Sequence, residues 1–163
     1  MKKHIKKAKI TGKKLLKVIC YIFVVSFFVH LFWEVAHSFL YNWNELPLKN
    51  DIYFYIPRII QATIGDGILM VCIYFLGLIK NKKINWVAKM KRSDYTLVIL
   101  AGFFMALFVE EINVFWLGRW SYTPSMPLIP FFNVGLTPIL QLLILPIFIF
   151  KIIGFFRMLE RFS

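Results

Sequence analysis

The chain reads as an all-α polytopic membrane protein, with four transmembrane helices in one bundle and both termini cytoplasmic. Three observations predict this. The 163 residues are 60% hydrophobic with a mean hydropathy of +0.69, above the roughly 45 to 50% apolar content of soluble domains. Four apolar runs, near 18–41, 57–79, 95–117 and 134–156, each reach the roughly 20 residues that a helix needs to cross the hydrocarbon core. The connections between them are short, which leaves no room for a soluble domain.

Residues 1–17 form a basic segment with eight lysines, Lys2, Lys3, Lys6, Lys7, Lys9, Lys13, Lys14 and Lys17, and no acid. The loop after the second span carries Lys80, Lys82, Lys83, Lys89, Lys91 and Arg92 against Asp94, and the short tail 157–163 adds Arg157 and Arg161 against Glu160. The other two loops are poor in basic residues. Positively charged segments stay on the cytoplasmic side, so both termini are expected there and the chain in a bacterial-type inner membrane. The net charge of +12 is accounted for by topology and by anionic lipid heads. Because the basic residues adjoin a span, a nucleic-acid partner is not expected.

The first span is longer than the core of a signal peptide and is expected to be retained. Cys20 and Cys72 fall in the cytoplasmic halves of their helices and read as reduced packing residues. Trp33, Tyr41, Trp43, Tyr53, Tyr55, Trp116, Trp120 and Tyr122 gather near the outer boundary as an interfacial belt.

At about 1.5 Å of rise per residue, Glu34 lies about 10 Å and His37 about 6 Å below the outer boundary, with Gln61 at about 6 Å and Asp66 at about 14 Å. Glu110 and Glu111 lie about 10 Å down, Asn113 about 6 Å and Gln141 about 10 Å. Each helix thus supplies a polar group to one outer-leaflet layer, while the inner halves offer little beyond Ser26 and Thr96. His30, Glu34 and His37 recur at i, i+4, i+7 and share a face. Glu110 and Asn113 share another, and Gly65 beside Gln61 is expected to allow close helix approach. Intramembrane charge is costly unless it meets a partner or a wet cavity, so these faces should converge. Adjacent Glu110 and Glu111 cannot both point at the same spot, so one of them is expected to turn toward the neighbouring helix or the headgroups.

Partly desolvated acids and histidines can exchange protons with a bound molecule near neutral pH. Glu34, Asp66 and Glu110 are the candidate acid/base groups and His37 a shuttle. Gln61, Asn113, Arg119, Trp120, Tyr122 and Gln141 are the candidate substrate-binding groups. The same donors, His30, Glu34 and His37 with Asp66 or Glu110, offer metal ligands, although the spacing matches neither H-E-x-x-H nor a twin Glu-x-x-His motif. A purely structural hydrogen-bond network is the plainer reading. His30, deepest and flanked by Val29 and Leu31, reads as a satisfied packing histidine. Arg119, in a loop stiffened by Pro124, Pro127 and Pro130, either snorkels to phosphate heads or folds back as a lid that binds an anionic lipid or pairs with Glu111.

The segments "GRWSYTPSMPLIP" and "VGLTPILQ", from Gly118 to Pro130 and from Val134 to Gln141, resemble a signature of small four-helix membrane proteins of prokaryotes. That resemblance implies the fold and no activity. Gly118, Trp120 and Tyr122 are also similar to the G-x-[WY]-x-Y turn of membrane carotenoid hydratases and lycopene cyclases, which pair it with intramembrane acids. In this chain Glu110 and Glu111 follow Val109 where those cyclases have a proline. Three functions stay open: a membrane enzyme moving protons on a lipid or isoprenoid, a small cation or proton transporter or channel subunit, and a structural protein that binds a membrane partner or a second copy of itself. The cofactor stays open as well.

Overall fold

The computed structural model describes residues 12–42 and 52–155, with the side chains of 52–55 excepted. Residues 1–11, the loop 43–51 with Trp43, Glu45, Lys49 and Asp51, and the tail from 156 onward lie outside the described residues, as do the tyrosine side chains of 53 and 55.

Four helices, α1 (Gly12–His37), α2 (Ile52–Asn81), α3 (Arg92–Glu110) and α4 (Leu136–Phe155), make up the bundle. All four spans are long and apolar enough to cross a membrane. The first two helices begin earlier than hydropathy predicts. Lysines are good helix formers, so α1 continues through Lys13, Lys14 and Lys17. Pro57 lies within the second turn of α2, where it removes one i→i−4 backbone hydrogen bond near the helix start.

Along α1 the buried positions Val18, Ile22, Ser26, His30 and His37 form one stripe, as a 3.6-residue period requires. α1 packs on α2 and α4, and α3 on α4 and, less extensively, on α2. Close approach is set by glycines that the sequence reading did not select. A Cβ on Gly102 would sit 1.9 Å from the Leu142 carbonyl oxygen, and one on Gly67 2.9 Å from the Phe23 ring. Gly65, expected to allow close helix approach, has nothing within 4 Å of a built Cβ; its missing side chain leaves open space.

The end of the bundle that holds the α2–α3 connection is closed. A 3-10 turn over Trp86–Lys89 buries Trp86 and Val87 against a core of Val18, Ile22, Met70, Ile73, Tyr74, Val98, Ile149, Phe150 and Ile153. The Trp86 indole donates to the Tyr74 carbonyl at 3.2 Å, and the Tyr74 hydroxyl to the Ile84 carbonyl at 2.7 Å. Buried Asp94 accepts from Lys80 at 2.7 Å, from Asn81 at 3.0 Å and from the Lys91 backbone at 2.8 Å. One side chain thereby caps α3 and ties it to the end of α2. Cys20 and Cys72 are exposed on the outer faces of their helices, which corrects their reading as packing residues.

At the opposite end α3 does not stop at Glu110. It widens into a π-helical segment over Glu111–Trp116 and then turns at Gly118, whose φ of +56° suits a residue without a Cβ. Two short strands follow from the sequence reading of no element: β1 (Tyr41–Asn42) and β2 (Ser121–Tyr122) pair antiparallel, Tyr41 opposite Tyr122. The α3–α4 loop is therefore strapped to the end of α1. The Thr123 amide reinforces the strap by donating to the Leu40 carbonyl at 2.9 Å.

Candidate functional site

The strapped end of the bundle encloses a cavity of about 440 Å³. Glu34 comes from α1, Asp66 from α2, Glu110 from α3 and Gln141 from α4, and all four line it. The convergence expected from intramembrane charge is thus present. The deeper wall is apolar, with Leu69, Ala106 and Leu142. Gln61, Ile64 and Ile68 on α2 and Arg119 beyond α3 are exposed lining residues, so the cavity is open toward the bundle surface there.

Gln141 is the centre of the polar wall. Its Nε2 lies 2.9 Å from Glu34 Oε1, 2.7 Å from Asp66 Oδ2 and 2.9 Å from His30 Nδ1. An amide nitrogen has two hydrogens, so it serves two of these three neighbours at a time. Giving both hydrogens to the carboxylates leaves His30 to carry its proton on Nδ1, 3.4 Å from Asp66 Oδ2. That tautomer makes Nε2 a bare acceptor, and His30 Nε2 is buried with no hydrogen-bond partner. His30 is therefore a member of the network with one nitrogen unsatisfied, in place of the satisfied packing histidine read from its neighbours.

His37 is buried behind Glu34 and does not line the cavity. Its Nε2 lies 3.3 Å from Glu34 Oε1, and its Nδ1 lies 3.2 Å from the Thr137 hydroxyl. Any role it has in moving protons passes through Glu34. Among the described residues, no three His, Cys, Asp or Glu side chains form a group that could hold a metal ion. The atoms of His30, Glu34 and Asp66 that face one another are instead engaged by the Gln141 amide.

Glu110 is held separately. The Trp120 indole donates to its Oε2 at 3.3 Å, and the Tyr122 hydroxyl donates a short hydrogen bond to the same oxygen. The β1–β2 strap is what brings both donors back over α3. Tyr122 lies outside the spans, and burial together with the nearby Glu110 carboxyl pushes its phenol well above the ordinary tyrosine range. It stays a donor over the whole physiological range. Tyr41, against which Tyr122 packs at 5.8 Å between ring centroids, is pushed up in the same way.

Asn113 and Arg119 also line the cavity. The Arg119 guanidinium reaches Asn113 Oδ1 at 3.3 Å while its backbone amide donates to the Asn113 carbonyl at 2.8 Å. The Arg119 side chain thus reaches back to Asn113, and among the described residues no ion pair joins it to Glu111. Glu111 is half-buried and is not among the lining residues, as expected for the neighbour of Glu110. Arg58, Ser38 and Tyr41 line the cavity as well, and the sequence reading did not select them as site residues. Arg58 was legible in principle, since it lies three residues before Gln61 and so on the same face.

No family model matches the chain, and neither a curated protein nor a solved structure is similar enough to count as a match.

Proposed function

We propose that the protein is an integral membrane enzyme that transfers protons to and from a lipid or isoprenoid substrate, lodged in an inner-type membrane with both termini cytoplasmic and the cavity in the outer leaflet. The observation that carries this reading is the placement of three carboxyl groups from three helices on the wall of one cavity with an apolar floor. Ligand sites are concave and mostly apolar with a few convergent polar groups. Intramembrane acids facing such a space are functional candidates by default.

The arrangement suits proton relocation within one molecule. Glu110 sits on one wall, oriented through Oε2 by Tyr122 and Trp120, which leaves Oε1 as the atom to exchange a proton with the substrate. Glu34 and Asp66 line the same cavity from α1 and α2, bridged by Gln141. One side delivers a proton and the other accepts one, so the substrate is isomerised with no net gain of protons or electrons, and the accepting acid returns its proton to the donor through water at the opening before the next turnover. His37 and His30 lie behind the two acids, 3.3 Å from Glu34 and 3.4 Å from Asp66. The likeness of Gly118, Trp120 and Tyr122 to the turn of carotenoid hydratases and cyclases fits this reading, because Trp120 and Tyr122 are the residues that hold Glu110.

The transporter alternative needs a path through the opposite half, where Met70, Ile73, Tyr74, Val98 and Ile149 are fully buried in contact with Trp86 and its neighbours. That plug favours a blind pocket. The test is native mass spectrometry of protein extracted in mild detergent, followed by incubation of the retained lipid in deuterium oxide. Wild type is expected to retain a specific lipid and to place deuterium on its carbon skeleton, and Glu110→Gln and Asp66→Asn to retain it without exchange. A wild-type protein that retains nothing, or exchanges nothing, refutes the proposal.

A further inference from the structure

The cavity is graded along the bundle axis. Leu69, Ala106 and Leu142 form its base, Glu34, Asp66, Glu110 and Gln141 the middle, Gln61 and Asn113 the next layer, and Arg58 and Arg119 the rim. On α2, Arg58, Gln61, Ala62, Gly65, Asp66 and Leu69 fall on one helix face, and all of them line the cavity. Eight residues separate Arg58 from Asp66, a rise of about 12 Å.

Neither rim arginine belongs to an ion pair among the described residues, where the paired acids are Asp66, Glu34 and Asp94 with His30, His37 and Lys80. The cavity acids are already engaged by Gln141, the two histidines, Trp120 and Tyr122. Asn113 is occupied too: it donates to the Val109 carbonyl at 2.7 Å and accepts from Arg119. It is a positioning residue that holds the guanidinium over the opening. Two guanidinium groups, one from α2 and one from the α3–α4 loop, and the Gln61 amide thus line one opening with their donors uncommitted to any carboxylate described.

We propose that this rim binds a phosphate headgroup, and that the substrate is an amphiphile whose phosphorylated head sits between Arg58 and Arg119 while its apolar chain descends past the acids. This rests on the proton-transfer reading of the same cavity and adds the class of molecule that enters it. Guanidinium forks match the oxygens of a phosphate, and two of them with an amide suit a head with several charged oxygens. The deeper carboxylates do not cancel that attraction. Coulomb energy falls with distance, so a guanidinium in contact at about 4 Å acts about three times as strongly as a carboxylate about 12 Å below. The gradient also gives register: a head fixed at the rim places a carbon chain, and no second charged group, at the level of Glu110 and Asp66.

The test uses the full-length chain in a neutral detergent, titrated with farnesyl phosphate, farnesol and inorganic phosphate and read by native mass spectrometry. Farnesyl phosphate is expected to bind at least about tenfold more tightly than farnesol, an advantage of the size that charge-assisted contacts give. Inorganic phosphate at equal concentration should not displace it. The Arg58→Gln, Arg119→Gln double variant, shown to be folded by a helical circular dichroism spectrum matching wild type, should lose the preference. The single Arg119→Gln and Arg58→Gln variants should each lose part of it. Equal binding of farnesyl phosphate and farnesol overturns the headgroup site and leaves an apolar-ligand enzyme standing. Displacement by inorganic phosphate overturns it in favour of a small-anion site. Failure of the wild type to bind either farnesyl compound overturns both this inference and the enzyme reading.

Discussion

Replacement of Gln141 by leucine tests the centre of the site most directly. The amide nitrogen donates to Glu34 at 2.9 Å and to Asp66 at 2.7 Å, and the residue itself is 2% exposed, so its removal takes a buried donor from both carboxyl groups. Leucine is close in volume, which keeps the loss to the two hydrogen bonds and excludes a cavity term. Hydrogen bonds in membrane bundles average about 0.6 kcal/mol and reach about 1.7, because the unfolded state in the membrane finds other partners. Both acceptors here are carboxyl groups, for which the upper end of the range applies. Two such bonds give an expected destabilisation of about 2 to 3 kcal/mol. The assay is reversible denaturation in mixed micelles followed by helical circular dichroism. A cycle with Asp66→Asn supplies the control: in that background the Gln141→Leu penalty should fall to about half, since one of the two acceptors is weakened. A loss below about 0.5 kcal/mol, or full additivity with Asp66→Asn, would mean that Gln141 does not bridge the carboxyls. The account of the polar wall would then be refuted.

Two other perturbations follow from the same geometry. Tyr122 has a phenol held above the ordinary tyrosine value by burial and by Glu110, so its native form keeps the proton more tightly than the unfolded chain does. The corresponding stability is fully present below about pH 10 and is lost as pH rises beyond that toward the native value. Tyrosinate absorbance at 295 nm is the check: Tyr122→Phe should leave the amplitude reached at pH 11 unchanged, and a drop by one tyrosine would show that Tyr122 ionises normally. Gly102→Ala places a methyl group on the Leu142 carbonyl oxygen, a backbone atom that cannot step aside, so α3 and α4 must separate. The expected cost is about 3 kcal/mol or more, at the top of the overpacking range, seen as loss of monodisperse protein after detergent extraction; wild-type behaviour would refute the packing assigned to these helices.

The parts of the site that hydropathy and spacing revealed are those governed by a single helix. The i, i+4, i+7 recurrence of His30, Glu34 and His37 put these groups on one face because a helix imposes 3.6 residues per turn whatever it packs against, and the structure finds His30 and His37 buried on that face. The shared depth of Asp66, Glu110 and Gln141 was legible for a similar reason, since rise per residue is constant. The role of Gly65 was misread because a small residue permits either close approach or open space, and only the neighbouring helix decides which. Cys20 and Cys72 were misread for the same reason: on a nearly uniformly apolar helix, the buried and lipid-facing sides have no contrast in composition.

The sequence alone thus determines that four apolar helices form, that their charged flanks predict an orientation, and that one layer of polar groups must find partners. Those outcomes follow from transfer free energy and helix geometry, which act residue by residue. Partner choice is decided by tertiary structure. The pairing of Tyr41 with Tyr122 across 81 residues, the swing of Trp120 onto Glu110, the insertion of Gln141 between two acids and the gap beside Gly65 that becomes a cavity each depend on where another segment lies. A buried hydrogen bond needs both its atoms within about 3 Å, and periodicity along one helix carries no information at that scale about the next.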